Sequence, residues 1–148
     1  LPSSTVINMG DNAGVNDDGP MIMYAFHSVK GFSKFGSYTG NGNADGPFIY
    51  TGFKPAWLII KQSSGAGNDW LIYDNKRDAS NVASTILLAN GNGTEQTGQS
   101  FNYIDLLSNG FKLRGSDARN NGDGGTMIYM AFAESPFVNS NGVPNNAR

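Results

Sequence analysis

The sequence predicts an all-β protein: a two-layer antiparallel β-sandwich, jelly-roll or lectin-like, of about nine short strands. Three observations carry this. Glycine supplies 20 of the 148 residues, and Asn- and Asp-rich turns cut the chain at short intervals. The apolar segments between those turns are short, rich in β-branched and aromatic residues, and without a helical period. A strand–turn–strand unit also occurs twice. Gly19-Pro20-Met21-Ile22-Met23-Tyr24-Ala25-Phe26 is echoed by Gly125-Thr126-Met127-Ile128-Tyr129-Met130-Ala131-Phe132, with a spacing of about 105 residues that suits a whole small domain.

Bulk composition narrows the class. A chain of this length holds one domain with a real core and hardly two. Charged residues are 15% and the net charge is −2, with a pI near 5.1. Lys34, Lys54, Lys61, Arg77 and Lys112 are scattered, so no basic stripe offers itself to nucleic acid. Cysteine is absent, which removes disulfides, thiol chemistry and thiolate metal sites. No apolar run has the length of a membrane-spanning helix. Residues 1–5 read as a linker or a cut end, residues 6–137 as the sandwich domain and residues 138–148 as a polar surface tail.

In chain order, residues 5–9 are expected as a strand, followed by an Asp/Asn turn through Gly19. Residues 21–27 are apolar almost without a break, the pattern of a central strand covered on both faces. Residues 32–38 follow as its hairpin partner after the Lys30-Gly31 turn. Residues 39–47 form the most loop-like segment, and strands are then expected at 48–52, 56–62, 70–74 and 85–89. Residues 78–83 have room for one helical turn at most. The segments 103–107 and 110–114 flank Asn109-Gly110, a strong hairpin signal. Residues 126–133 close the fold.

The echo runs from 6–32 to 111–137, including Val6-Ile7-Asn8-Met9-Gly10 against Phe111-Lys112-Leu113-Arg114-Gly115. Either both copies lie in one domain as related central strands, or the chain carries one whole module plus the end of another. In both cases the first copy is expected to join a sheet, because unpaired strand edges invite pairing.

Longer motifs resemble a known family. Lys34-Phe35-Gly36-Ser37-Tyr38-Thr39-Gly40-Asn41-Gly42 and Asp45-Gly46-Pro47-Phe48-Ile49-Tyr50-Thr51-Gly52-Phe53-Lys54-Pro55-Ala56-Trp57 are similar to a domain of unknown function in virion proteins of tailed, notably marine, bacteriophages. Trp70-Leu71-Ile72-Tyr73-Asp74, Leu107 to Arg114, Tyr129 to Glu134 and Gly142 to Arg148 continue the match. The resemblance implies a module that is repeated or C-terminal in tail or fibre-like proteins, located on the virion surface or otherwise extracellular. It implies no settled activity.

Candidate chemistry is sparse. His27 is the only histidine and has no nucleophile pattern beside it, so a structural role is favoured. Asp69, Asp74, Asp78 and Glu134 surround apolar strands, but a glycosidase needs two carboxylates at a fixed separation, and turn formation accounts for most of them. Asn41-Gly42-Asn43-Ala44-Asp45-Gly46 approaches a calcium loop but opens with Asn, and Gly52 stands where the closing Glu belongs. No cofactor or metal site is therefore expected, calcium being the one ion whose chemistry these loops approach. Trp57 and Trp70 are assigned to the core by default, whereas Tyr38, beside the glycine-rich loop, is the better ring for stacking on a sugar. The candidate ligand-binding set is Tyr38, Asn41, Asn43, Asp45, Trp70 and Asp74, Trp70 being kept in it as an aromatic candidate despite the core default, with no catalytic residues.

The expectation is a non-enzymatic virion module, homo-oligomeric, that assembles with copies of itself or other virion proteins and adheres to a host-surface polymer such as glycan. Repetition would raise the effective concentration of a weak site. A spacer domain without ligand is the main rival, and a surface-polysaccharide depolymerase the third reading.

Overall fold

Strand-period alternation sets the architecture from Ser33 onward. The structure, a computed structural model, describes residues 3, 5–65, 68–98 and 100–136. Eight strands follow in order: β1 (Ser33–Thr39), β2 (Phe48–Tyr50), β3 (Pro55–Gln62), β4 (Leu71–Asp74), β5 (Leu87–Leu88), β6 (Ile104–Leu107), β7 (Gly110–Leu113) and β8 (Thr126–Ala133). A 3-10 turn at Ser100–Asn102 precedes β6, and a one-turn helix, α1 (Ala118–Asn121), lies between β7 and β8. The strands form two antiparallel sheets, β1-β8-β3-β4-β5 and β2-β7-β6, so the fold is the expected two-layer β-sandwich.

The core fills the space between the sheets. Leu58 and Ile60 from β3, Leu71 and Tyr73 from β4, and Phe111 and Leu113 from β7 are fully buried. Each such aliphatic or aromatic side chain contributes roughly 1.5–3 kcal/mol by leaving water. In β8 both parities are apolar, so hydrophobicity alone does not choose which face turns inward. Gly36 helps to decide it. A Cβ there would stand 2.9 Å from the Tyr129 hydroxyl, so the glycine in β1 leaves the space that the inward Tyr129 ring occupies. Met127, Tyr129 and Ala131 consequently face the core, and Ile128, Met130 and Phe132 face outward.

The hairpin predicted from Asn109-Gly110 is present, with a different turn. Leu107 pairs with Gly110, so Ser108-Asn109 is the two-residue loop and Gly110 opens β7. A Cβ on Gly110 would meet the Ile49 carbonyl at 2.1 Å, which is why the close β2–β7 approach needs glycine. The single helical turn forms at α1 rather than at residues 78–83, because Asp117 caps it there by accepting from the Arg119 amide at 2.7 Å.

The first copy of the repeat departs from expectation. Residues 5–9 and 21–27 form no strand, and all their side chains are exposed. The expected central strand at 21–27, covered on both faces, is therefore corrected: Ile22 is 81% and Tyr24 80% exposed. β1 pairs with β8, the second copy, instead of forming a hairpin with residues 21–27. β8 already occupies the slot between β1 and β3 that the repeat would give residues 21–27, while the outer edge of β1 stays unpaired in the sheet. The echo partner Phe137 and the tail at 138–148 lie outside the described residues.

Candidate functional site

Two regions compete for a binding role: the loop after β1, and the outer face of the five-stranded sheet. In the loop, alternating Asn and Gly residues fold onto their own backbone. Asn41 Oδ1 accepts from the Asn43 amide at 3.0 Å, Asn43 Oδ1 accepts from the Asp45 amide at 2.9 Å, and the Asn41 amide group donates to the Asp45 carbonyl. Asn121, fully buried at the end of α1, pins the loop from beneath. It donates to Asn41 Oδ1, the Asn43 carbonyl and the Gly115 carbonyl, and accepts from the Asn41 amide. Lys112 reaches both Asp45 Oδ1 and the Gly46 carbonyl at 2.8 Å, and its ammonium holds the exposed Asp45 carboxyl below the usual carboxylate range.

The loop thus brings Asn41, Asn43 and Asp45 together but spends their side chains on its own conformation. Tyr38, the ring expected to face a ligand there, turns inward. Its hydroxyl donates to the Asn120 carbonyl at 2.5 Å, and its ring meets Phe111 and Tyr129 edge-on or tilted. Burial pushes its phenol well above its ordinary pKa. The assignment of Tyr38 as a ligand-facing ring is corrected on this geometry: Tyr38 shares the parity of Gly36 on β1, the side on which Tyr129 lies, and its ring packs against the core. Among the described residues no three His, Cys, Asp or Glu side chains gather where a metal could be held.

Trp70 and Trp57 depart from expectation in the opposite direction. Leu58 and Ile60 take the core positions of β3, so Trp57 and Ile59 project outward, and Trp70, just before β4, stays 38% exposed. Cross-strand register then lines up Phe35, Met130, Ile59 and Ile72 in a single row across β1, β8, β3 and β4. A second row sets Phe132 beside Trp57, and a third sets Ile128 beside Lys61. Between them lies a trough of about 300 Å³ lined by Phe35, Ile59, Lys61, Trp70, Ile128 and Met130. Lys61 supplies its only charged side chain, and that ammonium donates to the Asn68 carbonyl at 2.7 Å.

One end of this face is already occupied. Phe26 stacks on Phe35 with ring centroids 5.9 Å apart and meets Phe132 edge-on at 6.4 Å. Phe32 and Trp57 also contact Phe132, so a five-ring cluster closes that end. At the other end the Trp70 amide donates to Asn90 Oδ1, and the Asn90 amide group donates to Asp69. Asp74 sits on the same face as Trp70, but its Oδ1 accepts from the Lys76 and Arg77 amides and its Oδ2 pairs with Arg77 at 2.8 Å. The sequence-derived set is therefore split three ways: loop, core and outer face. His27 is exposed, with Nδ1 3.1 Å from the Ser28 carbonyl.

The outer face was legible as an unassigned signal. Met127-Ile128-Tyr129-Met130-Ala131-Phe132 is apolar at both parities, which calls for a cover on each side of β8. The inner cover is the β2-β7-β6 sheet, and the outer one is absent from the described residues apart from Phe26 and Phe32.

A family model described as "Domain of unknown function (DUF7483)" matches residues 1–136. The chain belongs to this family. No curated protein and no solved structure matches the DUF7483 chain. The matched span takes in the whole described sandwich together with the exposed first copy of the repeat.

Proposed function

We propose that this domain is a non-enzymatic assembly module of a bacteriophage virion appendage, packing against further copies of itself through the outer face of the five-stranded sheet. One observation carries the reading: an apolar face runs across four strands, and a ring from outside the sandwich, Phe26, is already seated on it. The occupant is a second copy because the chain's own exposed segment has the matching chemistry, aliphatic and aromatic side chains without charge at Met21-Ile22-Met23-Tyr24-Ala25-Phe26. The virion setting rests on the motif resemblance described above.

The test is the oligomeric state measured by light scattering across concentration, with Met130→Asp as the probe. The native chain is expected to self-associate and M130D to remain monomeric while still folded. A native chain that stays monomeric at about millimolar concentration, where even weak specific contacts form, would overturn the reading.

A second reading keeps adhesion to a host-surface glycan. Trp70 favours it, as the exposed ring beside the Asn90–Asp69 pair, where an apolar sugar face and its hydroxyls would both find partners. Glycan-array binding that Trp70→Ala abolishes would support it. Absence of signal even on a multivalent display removes it.

A further inference from the structure

Residues ahead of β1 hold apolar side chains that no sheet covers. Val6, Ile7, Met9, Met21, Ile22, Met23, Tyr24 and Phe26 are 46–81% exposed, at both strand parities. Their counterparts in β8 behave differently: Met127 and Ala131 are fully buried and Tyr129 is 7% exposed. Near-identical local sequence, with Met and Tyr exchanged at two positions, thus lies in two states, and only β8 is held between two neighbouring strands.

A second correspondence is independent of hydrophobicity. Asn12 Oδ1 accepts from the Gly14 amide at 2.8 Å, and the Asn12 carbonyl accepts from the Val15 and Asn16 amides at 2.9 Å. Asp117 repeats this pattern 105 residues later. Its Oδ1 accepts from the Arg119 amide at 2.7 Å, and its carbonyl accepts from the Asn120 and Asn121 amides at 3.2 and 2.7 Å. Residue 12 corresponds to 117, 14 to 119, 15 to 120 and 16 to 121, an offset of 105, and one extra residue ahead of Thr126 then sets the strand letters at an offset of 106. The first copy therefore builds the same capped turn before its would-be strand although nothing packs on it. Asn16 also places an asparagine where Asn121 anchors the loop after β1.

We infer that residues 12–26 are the capped turn and final strand of a further copy of this domain. The partner they fit is the slot between the β1-type and β3-type strands of that second copy. In the described sandwich this slot is held by β8, whose both edges are hydrogen-bonded, so the segment cannot enter it here. Ala25 matches Ala131, which is fully buried opposite Leu58, and Met23 replaces Tyr129 with a flexible apolar chain of lesser volume. Pro20 corresponds to Thr126, the first residue of β8, a strand position that tolerates proline. The upstream echo is looser, since Asn8 stands at the buried position of Leu113, so the inference rests on residues 12–26. It shares Phe26 with the outer-face reading but does not depend on it, since self-association in the light-scattering assay can fail while the strand assignment holds.

The experiment extends the chain. Replacing residues 1–5 by a copy of residues 29–110 keeps the repeat spacing, supplies β1- to β6-type strands, leaves residues 6–9 in the β7 place and brings no β8. Hydrogen exchange at the Met21–Phe26 amides is then expected to slow at least about a hundredfold relative to the native chain, because they enter a cooperative unit. The 33–133 amides, unchanged, serve as the internal reference. Ala25→Asp in the extended chain should return the 21–26 amides to fast exchange. An extension by residues 29–136, which carries its own β8, should fold and leave 21–26 unprotected. If that longer extension is protected but the shorter one leaves 21–26 exchanging as in the native chain, the inference is overturned. Protection that survives A25D also overturns it, since the segment would then be packed elsewhere, for instance along the free edge of β1.

Discussion

Replacing Asn121 by alanine should separate the loop after β1 from the sandwich. Asn121 is fully buried and makes four side-chain hydrogen bonds, to Asn41 Oδ1, the Asn43 carbonyl, the Gly115 carbonyl and the Asn41 amide, between 2.8 and 3.1 Å. Each neutral hydrogen bond is worth about 1 kcal/mol net. Asn41 and Asn43 are exposed, so water takes over part of their loss, whereas the buried Gly115 carbonyl is left dry. The expected destabilisation is therefore about 3 kcal/mol. Urea unfolding followed by the fluorescence of Trp57 and Trp70 measures it, and hydrogen exchange at the Asn41 amide should accelerate in parallel. Asn121→Asp should cost more, because a carboxylate oxygen would face the Asn43 and Gly115 carbonyls that now accept from an amide. A loss below about 1 kcal/mol for N121A would mean that the loop holds itself through its Asn41–Asn43–Asp45 chain of bonds, and the anchoring role would be refuted.

Asp117→Ala removes both the cap of α1 and the partner of Arg119, whose side chains are 13% and 18% exposed. The cap is worth about 1 kcal/mol, and leaving the mostly buried guanidinium with Asp69 as its remaining carboxylate, 3.6 Å away, adds to it, so thermal melts should fall by more than for a surface Asp→Ala control. Alkaline pH should weaken the fold through Tyr73 and Tyr38. Burial raises both phenols in the folded state, so each contributes stability that is fully present below the unfolded value near 10 and lost as pH rises above it. The fall is up to about 1.4 kcal/mol per pH unit for each group. Tyr73→Phe should flatten the dependence of the urea midpoint between about pH 10 and 11; an unchanged slope would show that these phenols do not govern it.

Much of the sandwich could be read before its structure. β3, β4, β6, β7 and β8 stand close to their expected positions because period-two alternation, bounded by Gly and Asn turns, is local information. What failed was non-local. Residues 21–27 carry nearly the same letters as β8, yet a strand exists only where neighbouring edges and an inner face await it. Tyr38 and the two tryptophans exchanged roles because facing depends on which parity the partner strands bury: Gly36 admits Tyr129, and Leu58 and Ile60 displace Trp57 outward. Asn121 was invisible as an anchor. Its partners at Asn41 and Asn43 lie about 80 residues away, and Asn-Asn-Gly-Asp looks like any turn.

Phe26 joins the two proposals, and they can be tested together. By the repeat it corresponds to Phe132, whose side chain points outward from β8. If residues 21–26 become the last strand of a second copy, Phe26 must point outward from that copy's larger sheet. In the described chain the same ring stacks on Phe35 and meets Phe132 on the outer face of this sheet. Successive copies would then touch at matching aromatic positions, joined by the short connection from His27 to Gly31. In the chain extended by residues 29–110, a double-mutant cycle between Phe26→Ala and Phe132→Ala should give a coupling of about 0.5–1.5 kcal/mol in the unfolding of the 33–133 unit, the range for an aromatic pair. The same cycle in the native chain should give less, because there Phe26 has no strand to hold it. Equal coupling in both chains would mean that the contact belongs to a local collapse of residues 26–35, and that the outer faces of neighbouring copies do not meet there.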